Sequence, residues 1–115
     1  MLGRQNRLDL KKDFVFLKEK GVMVSSPFFG LLFSISALKD KPRFAFLIST
    51  KVSKKAVVRN QLKRRLSAFV EEKLPLAKSG TKAVFLVKGR AVDASRADLR
   101  QAVDQALLKA KITTK

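Results

Sequence analysis

The stretch RFAFLISTKVSKKAVVRNQLKRRLSAFVEEKL, residues 43–74, holds two hydrophobic periods and the switch between them. In its opening residues Phe44, Phe46 and Ile48 alternate with Ala45, Leu47 and Ser49, the period of two expected of a strand whose faces have different surroundings. From about residue 56 the period lengthens. Val58, Leu62, Leu66, Phe69 and Val70 fall at i, i+4, i+8, i+11 and i+12, one apolar stripe of a helix over 56–74. Pro75 ends that helix or follows its end. Between strand and helix lies a short segment, 51–55, whose lysines suit neither a core strand nor a helix start. A strand feeding a long amphipathic helix predicts a domain in which helix and sheet share a core.

Working outward, residues 28–37 (FFGLLFSISA, behind Pro27) read as a second strand. One face carries Phe29, Leu31, Phe33, Ile35 and Ala37. The other carries Phe28, Gly30, Leu32, Ser34 and Ser36, half apolar and half small, which suits a covered or ligand-bearing surface. A turn at 39–42 predicts that this strand and 43–50 form a hairpin. KAVFLVK at 82–88 is a third strand, too apolar to be exposed on both faces. Asp9 is placed to cap a helix over 10–20 with Leu10, Phe14 and Leu17 at i, i+4, i+7, and Gly21 stands where a helix end favours positive φ. Ser95, with Asp98 three residues on, opens a last helix over 96–110 whose buried stripe is Leu99, Val103, Ala106, Leu107 and Ala110. Residues 1–9 read as a loose basic arm. No repeat or linker divides the chain, so 1–115 is one α+β domain in the order helix, strand, strand, helix, strand, helix.

Its 115 residues carry 26 Lys and Arg against 9 Asp and Glu, a formal charge of +17. There is no His and no Cys. Zinc fingers, thiol nucleophiles, Ser–His–Asp triads and histidine-dependent ribonuclease chemistry are therefore excluded. No apolar run approaches the roughly 18 residues of a membrane span, and the first residues lack a secretory signal's apolar stretch. The expectation is a cytoplasmic protein with a polyanionic partner, nucleic acid first.

The charge is concentrated. Residues 41–70 hold nine basic residues (Lys41, Arg43, Lys51, Lys54, Lys55, Arg59, Lys63, Arg64 and Arg65) and no acid. Lys51, Lys54 and Lys55 gather at a helix start, where the dipole disfavours each cation by roughly 0.3–1 kcal/mol. Arg59 and Lys63 repel at i, i+4 with no Glu between them to relieve them. Stability alone does not select this pattern, and phosphates at the helix N-terminus relieve it. Asn60, beside Arg59, adds a group that both donates and accepts.

KVSKKAVVRNQLKRR, 51–65, resembles the signature segment of the bacterial ribonuclease P protein subunit, with its basic loop, Ala-Val, Arg-Asn and Lys-Arg. Asp13-Phe14, Gly21, the SSPFF run at 25–29, Arg43, Ser49 and Lys88-Gly89 stand where that family has similar features, so the likeness spans the chain. Three positions depart from the pattern: Gln61 replaces an Arg, Ser67 replaces another, and Lys54 stands at a frequent Gly. The resemblance implies a small mixed sheet with a left-handed strand–helix–strand crossover, a ribosomal-protein-like fold. It also implies an accessory subunit of an endoribonuclease whose catalyst is RNA, so that no residue of this chain is catalytic. The holoenzyme would hydrolyse precursor tRNA at a phosphodiester bond to release the 5′ leader, with Mg²⁺ held mainly by RNA and no metal ligands on the protein. Lys51, Lys54, Lys55, Arg59, Asn60, Lys63, Arg64 and Arg65 would face the catalytic RNA. Phe14, Phe28, Leu32, Ala45 and Ser49 would line a cleft for the single-stranded leader. Leu32 and Lys18 stand where relatives often carry aromatics, and Phe16, off the main stripe, is a further cleft candidate. No membrane and no obligate protein partner is expected. The competing reading is a basic ribosomal protein scaffolding rRNA; a membrane-surface protein would need an exposed apolar helix face that the core here requires.

Overall fold

The computed structural model describes residues 2–37 and 39–114. Helix α1 spans Leu10–Lys20, and strands β1, β2 and β3 span Val22–Ser25, Phe29–Ile35 and Arg43–Leu47. Helix α2 covers Ala56–Lys73, strand β4 covers Thr81–Val87, and helix α3 covers Arg96–Lys109. The helices start where their caps direct: Asp9 accepts from the Lys11 N–H and Ser95 from the Asp98 N–H.

The four strands form one mixed sheet in the order β1-β2-β4-β3. The predicted hairpin between the second and third strands does not form. β4 lies between them, antiparallel to β2 and parallel to β3. The reason is visible in β4 itself, whose consecutive Ala83, Val84 and Phe85 point to alternate faces and are all fully buried. Such a strand has no solvent face and takes the centre. The hairpin that does form joins β2 to β1, Val22–Ser25, a short strand absent from the sequence reading because four residues carry too little alternation to register.

Both faces of the sheet are covered. On one, Phe29, Leu31, Phe33, Phe44 and Phe85 pack against Leu62, Leu66, Phe69 and Val70 of α2 and Leu99, Val103 and Leu107 of α3. On the other, Leu32, Ala45 and Val84 lie under Leu17, with Leu10 and Phe14 beside them. The alternation read from 28–37 and 43–50 sorts into these two clusters over Phe29–Phe33 and Phe44–Phe46, while Ile35, on the core face by that reading, is 39% exposed. Phe28 departs from it. It precedes β2 and packs on the larger cluster with α2 and α3, away from Phe14.

Two other expectations are corrected. Gly21 has φ −77°, an ordinary value. Glycine is required there by close approach, since an added Cβ would lie 2.4 Å from the Leu17 carbonyl oxygen. Positive φ occurs instead at Gly80 (81°), in the turn entering β4. The first residues are no loose arm: Leu2 and Leu8 are buried, and the Leu8 N–H donates to the Phe44 carbonyl at 3.0 Å along the free edge of β3. Two leucines at the ends of a basic stretch have enough apolar surface to hold it down.

Gly21→Ala should lose about 1–3 kcal/mol of unfolding free energy in urea titration, as overpacking against backbone does. Gly89→Ala, where nothing lies within 4 Å of the added carbon, should stay within ~0.5 kcal/mol of the parent.

Candidate nucleic-acid interface

The loop between β3 and α2 is built by two serines. The Ser49 hydroxyl accepts from the Lys51 N–H (3.3 Å), and the Ser49 carbonyl accepts from the Val52 N–H (3.0 Å). The Ser53 hydroxyl accepts from the Lys55 N–H at 3.2 Å. From one turn into the helix, Arg59 reaches back and its Nη1 donates to the Ser53 carbonyl at 2.6 Å. These bonds close the loop into a compact ring with Lys51, Lys54 and Lys55 exposed around it.

Lys55 is the N-cap of α2 and supplies no side-chain cap. The Ala56 and Val57 N–H groups have no acceptor among the described residues, and the first turn holds no acid. Free amides, the positive end of an 18-residue helix and three lysines therefore converge on one spot. That is the arrangement an anion stabilises. Asn60, Lys63 and Arg64 are exposed farther along, Arg65 is half-buried, and Leu62 and Leu66 anchor the opposite face in the core. The basic residues singled out by sequence lie along one contiguous segment, the loop and the first turns of α2, with Arg65 half-buried on another flank from Lys63 and Arg59 partly spent on holding the loop.

The cleft candidates are less uniformly placed. Phe14, Leu32 and Ala45 share the smaller cluster, but Leu32 and Ala45 are 7% and 9% exposed and act chiefly as floor beneath α1. Ser49 belongs to the basic loop, and Phe28 to the other face. The Lys18 ammonium sits 4.6 Å from the Phe14 ring centroid, a cation–π contact worth about 0.5–1 kcal/mol at an exposed site.

Beside Phe14 an apolar ledge runs across the sheet, most of it missed by the sequence reading. Leu47 and Leu86 are partners on adjacent strands, and Gly30 is the next partner of Leu86. The Met23 sulfur would lie 2.9 Å from a Cβ at Gly30, so Met23 occupies the space a larger residue there would need. Leu47 and Met23 are 40% and 48% exposed. The alternation of 43–50 did put Leu47 on the right face. Met23 was hidden because β1 was. The ledge ends at Leu47, two residues before the serine that starts the basic ring.

An apolar ledge edged by an aromatic and opening onto a basic ring has the chemistry to suit a single-stranded polyanion. A family model for ribonuclease P matches residues 2–111. The ribonuclease P protein component of Microcystis aeruginosa is 33% identical over 114 residues, covering 96% of this chain and 95% of that protein. The chain belongs to the ribonuclease P protein family. A second relative, the ribonuclease P protein component of Rippkaea orientalis, is 32% identical over 117 residues, with 96% of this chain and 91% of that protein covered. Among solved structures, the RNase P protein of Staphylococcus aureus superposes with a TM-score of 0.85 at 20% identity, covering 94% of this chain and 97% of that one. The RNase P protein of Thermotoga maritima gives 0.80 at 20% identity, covering 90% and 96%. The four-stranded mixed sheet with its three helices is thus the fold of the bacterial ribonuclease P proteins.

Within that family, the Arg59–Ser53 bond separates two roles. Lys63→Ala, removing an exposed charge, should weaken binding to the catalytic RNA and reduce the slope of log K against log salt by about 1 or less per lost phosphate contact. Arg59→Lys keeps the charge and loses the forked donor. It should leave the salt slope near that of the parent and still weaken binding, by about 1–3 kcal/mol, because the loop carbonyl has lost its partner. Filter binding across a salt series distinguishes the two.

Proposed function

We propose that this chain binds the catalytic RNA of ribonuclease P through the 51–55 ring and the exposed face of α2, and the 5′ leader of precursor tRNA across the ledge beside Phe14. The observation that carries the reading is the adjacency of the two surfaces. The ledge formed by Leu47, Leu86 and Met23 runs directly into the cationic ring begun by Ser49. A leader strand lying on it places unstacked bases against apolar side chains and its phosphates near Lys18, Lys51 and Lys54. Aromatic stacking is limited to Phe14, so the leader is held more by apolar contact and charge than by stacking.

The ledge explains why the protein would help a reaction it does not perform. Paired tRNA offers no unstacked bases to an apolar ledge, so the surface favours the form that still carries a single-stranded leader. Discrimination between precursor and product then comes from the part that cleavage removes. The loop and helix cations meanwhile screen phosphate repulsion between substrate and catalytic RNA.

In this reading Mg²⁺ is held mainly by RNA rather than by a cluster of protein ligands. Among the described residues no three His, Cys, Asp or Glu side chains are grouped to hold a metal, so a metal requirement falls to RNA phosphates and substrate. Hydrolysis of the phosphodiester bond is likewise assigned to the RNA. Among the described residues no helix is long and apolar enough to cross a membrane, and the reading places the protein in the cytoplasm, where precursor tRNA is processed.

Reconstitution with a bacterial catalytic RNA tests the reading. Added protein should restore cleavage of precursor tRNA at a Mg²⁺ concentration where the RNA alone is inactive, and recovery of ribosomal RNA alone in a pull-down would overturn it. In the same system Phe14→Ala should weaken binding of leader-bearing substrate about fivefold or more, one stacked base being worth ~1–3 kcal/mol. Affinity for mature tRNA should not change. Equal losses for both substrates would remove the leader from the ledge.

A further inference from the structure

Helix α1 divides its face of the sheet in two. Phe14 and Lys18, four residues apart, share the flank toward the ledge. Asp13 and Phe16, three apart, share the opposite flank, which the Asp13 carboxylate pins to the start of β4 by a 3.0 Å ion pair with Lys82. Along that flank, at the ends of β3 and β4 where those strands begin, lies a concavity of about 340 Å³ lined by Phe16, Ser34, Ile35, Asp40, Arg43 and Lys82. It is within the roughly 300–1,000 Å³ range of small-ligand sites. About 13 Å of β3, at ~3.3 Å per residue, separates it from Leu47, so it is distinct from the ledge and from the 51–55 ring.

The fold leaves three features here unused. Phe16 and Ile35 form two apolar walls, 47% and 39% exposed. Arg43 and Asp40 have no ion-pair partner among the described residues. The other two cations are already engaged: Lys82 by Asp13 and Lys41 by the Gln5 side-chain oxygen at 2.7 Å. An aromatic wall suits a base, a free guanidinium suits a phosphate, and a carboxylate beside them repels a bare anion while accepting from an amino group.

We propose that this concavity holds one unstacked RNA nucleotide, with its base against Phe16 and Ile35, its phosphate on Arg43 and an exocyclic amino group donating to Asp40. Cytosine, adenine and guanine carry that amino group and uracil does not. The nucleotide comes either from a leader long enough to pass beyond the ledge or from the catalytic RNA.

Titration of the full chain with CMP, UMP and inorganic phosphate, followed by amide NMR, tests the site without any catalytic RNA, so its outcome is independent of the leader reading. CMP should shift the amides of Ser36, Arg43 and Lys82 saturably, and UMP should bind about threefold or more weakly for want of one hydrogen bond. Inorganic phosphate should not reproduce the shifts. Phe16→Ala and Arg43→Ala, both at exposed positions, should abolish the CMP response with the rest of the spectrum retained, and Asp40→Asn should narrow the CMP–UMP gap. No saturable shift at these amides, or equal shifts with phosphate, overturns the proposal. In the holoenzyme, a Phe16→Ala loss seen only with long leaders assigns the nucleotide to the leader, and a loss of affinity for the catalytic RNA itself assigns it there. No change in either overturns the site as an RNA contact.

Discussion

Four phenylalanines meet at the centre of the sheet, and the rest of the molecule is arranged around them. Phe85 of β4 lies 5.0 Å from Phe29 of β2 in an edge-to-face pair and 5.2 Å from Phe46 of β3 in a stacked one, with Phe44 6.5 Å away. Each such pair is worth about 0.5–1.5 kcal/mol beyond burial. Their larger effect is topological. Phe85 ties a strand from before the basic loop and one from still earlier in the chain to a strand that follows α2. To reach its place between β2 and β3, the chain must leave β3, cross the sheet as α2 and return parallel. The basic loop is the entry to that crossover. Its position at the end of β3 beside the ledge is therefore a consequence of where Phe85 packs.

Packing of this quality is needed because electrostatics works against the fold. The few acids are used sparingly and mostly far from the 51–55 ring. Glu72 pairs with Arg100 and Asp104 with Lys73, joining the end of α2 to α3, and Asp13 pairs with Lys82. Exposed pairs of this kind contribute about 0–1 kcal/mol each. They do not offset the repulsion at the start of α2, where the helix has no acid in its first turn and no side-chain cap. The protein accepts an unrelieved cationic surface at one end of its longest helix and screens the other end.

Much of this was legible in the sequence, for reasons that differ by element. The three helices were readable within a residue at each end because Asp9, Ser95 and the apolar stripes act locally, through bonds two or three residues long. The two faces of the strands were readable because alternation is also local. Strand order was not. Nothing within residues 28–50 says that a strand more than thirty positions later will insert between its two halves, and a turn at 39–42 looks the same whether or not its flanking strands pair. The buried N-terminal segment escaped for a related reason: Leu2 and Leu8 acquire a partner only once the free edge of β3 exists. Gly21 shows the limit at a single residue. Its identity was noticed, but the cause, the Leu17 carbonyl 2.4 Å from where a Cβ would stand, is a feature of three-dimensional packing.

The functional surface divides along the same line. The basic ring and helix were legible because charge needs no tertiary information to be conspicuous. The ledge was only half legible, since Leu47 and Leu86 become neighbours through parallel pairing and Met23 joins them through a strand the sequence did not reveal. Arg59 is the instructive residue between these cases. By composition it is one more cation for a phosphate, yet its guanidinium is already donating to the Ser53 carbonyl. A forked side chain with five donors can do both, holding the loop with one nitrogen and presenting the remainder outward. A lysine at the same place has a single ammonium and a floppier reach. The loop's shape and the anion site at the helix start therefore depend on an arginine at 59 in a way that net charge does not express. The lysines at 51, 54 and 55 form a defined ring because that bond, together with those of Ser49 and Ser53, closes the loop that carries them.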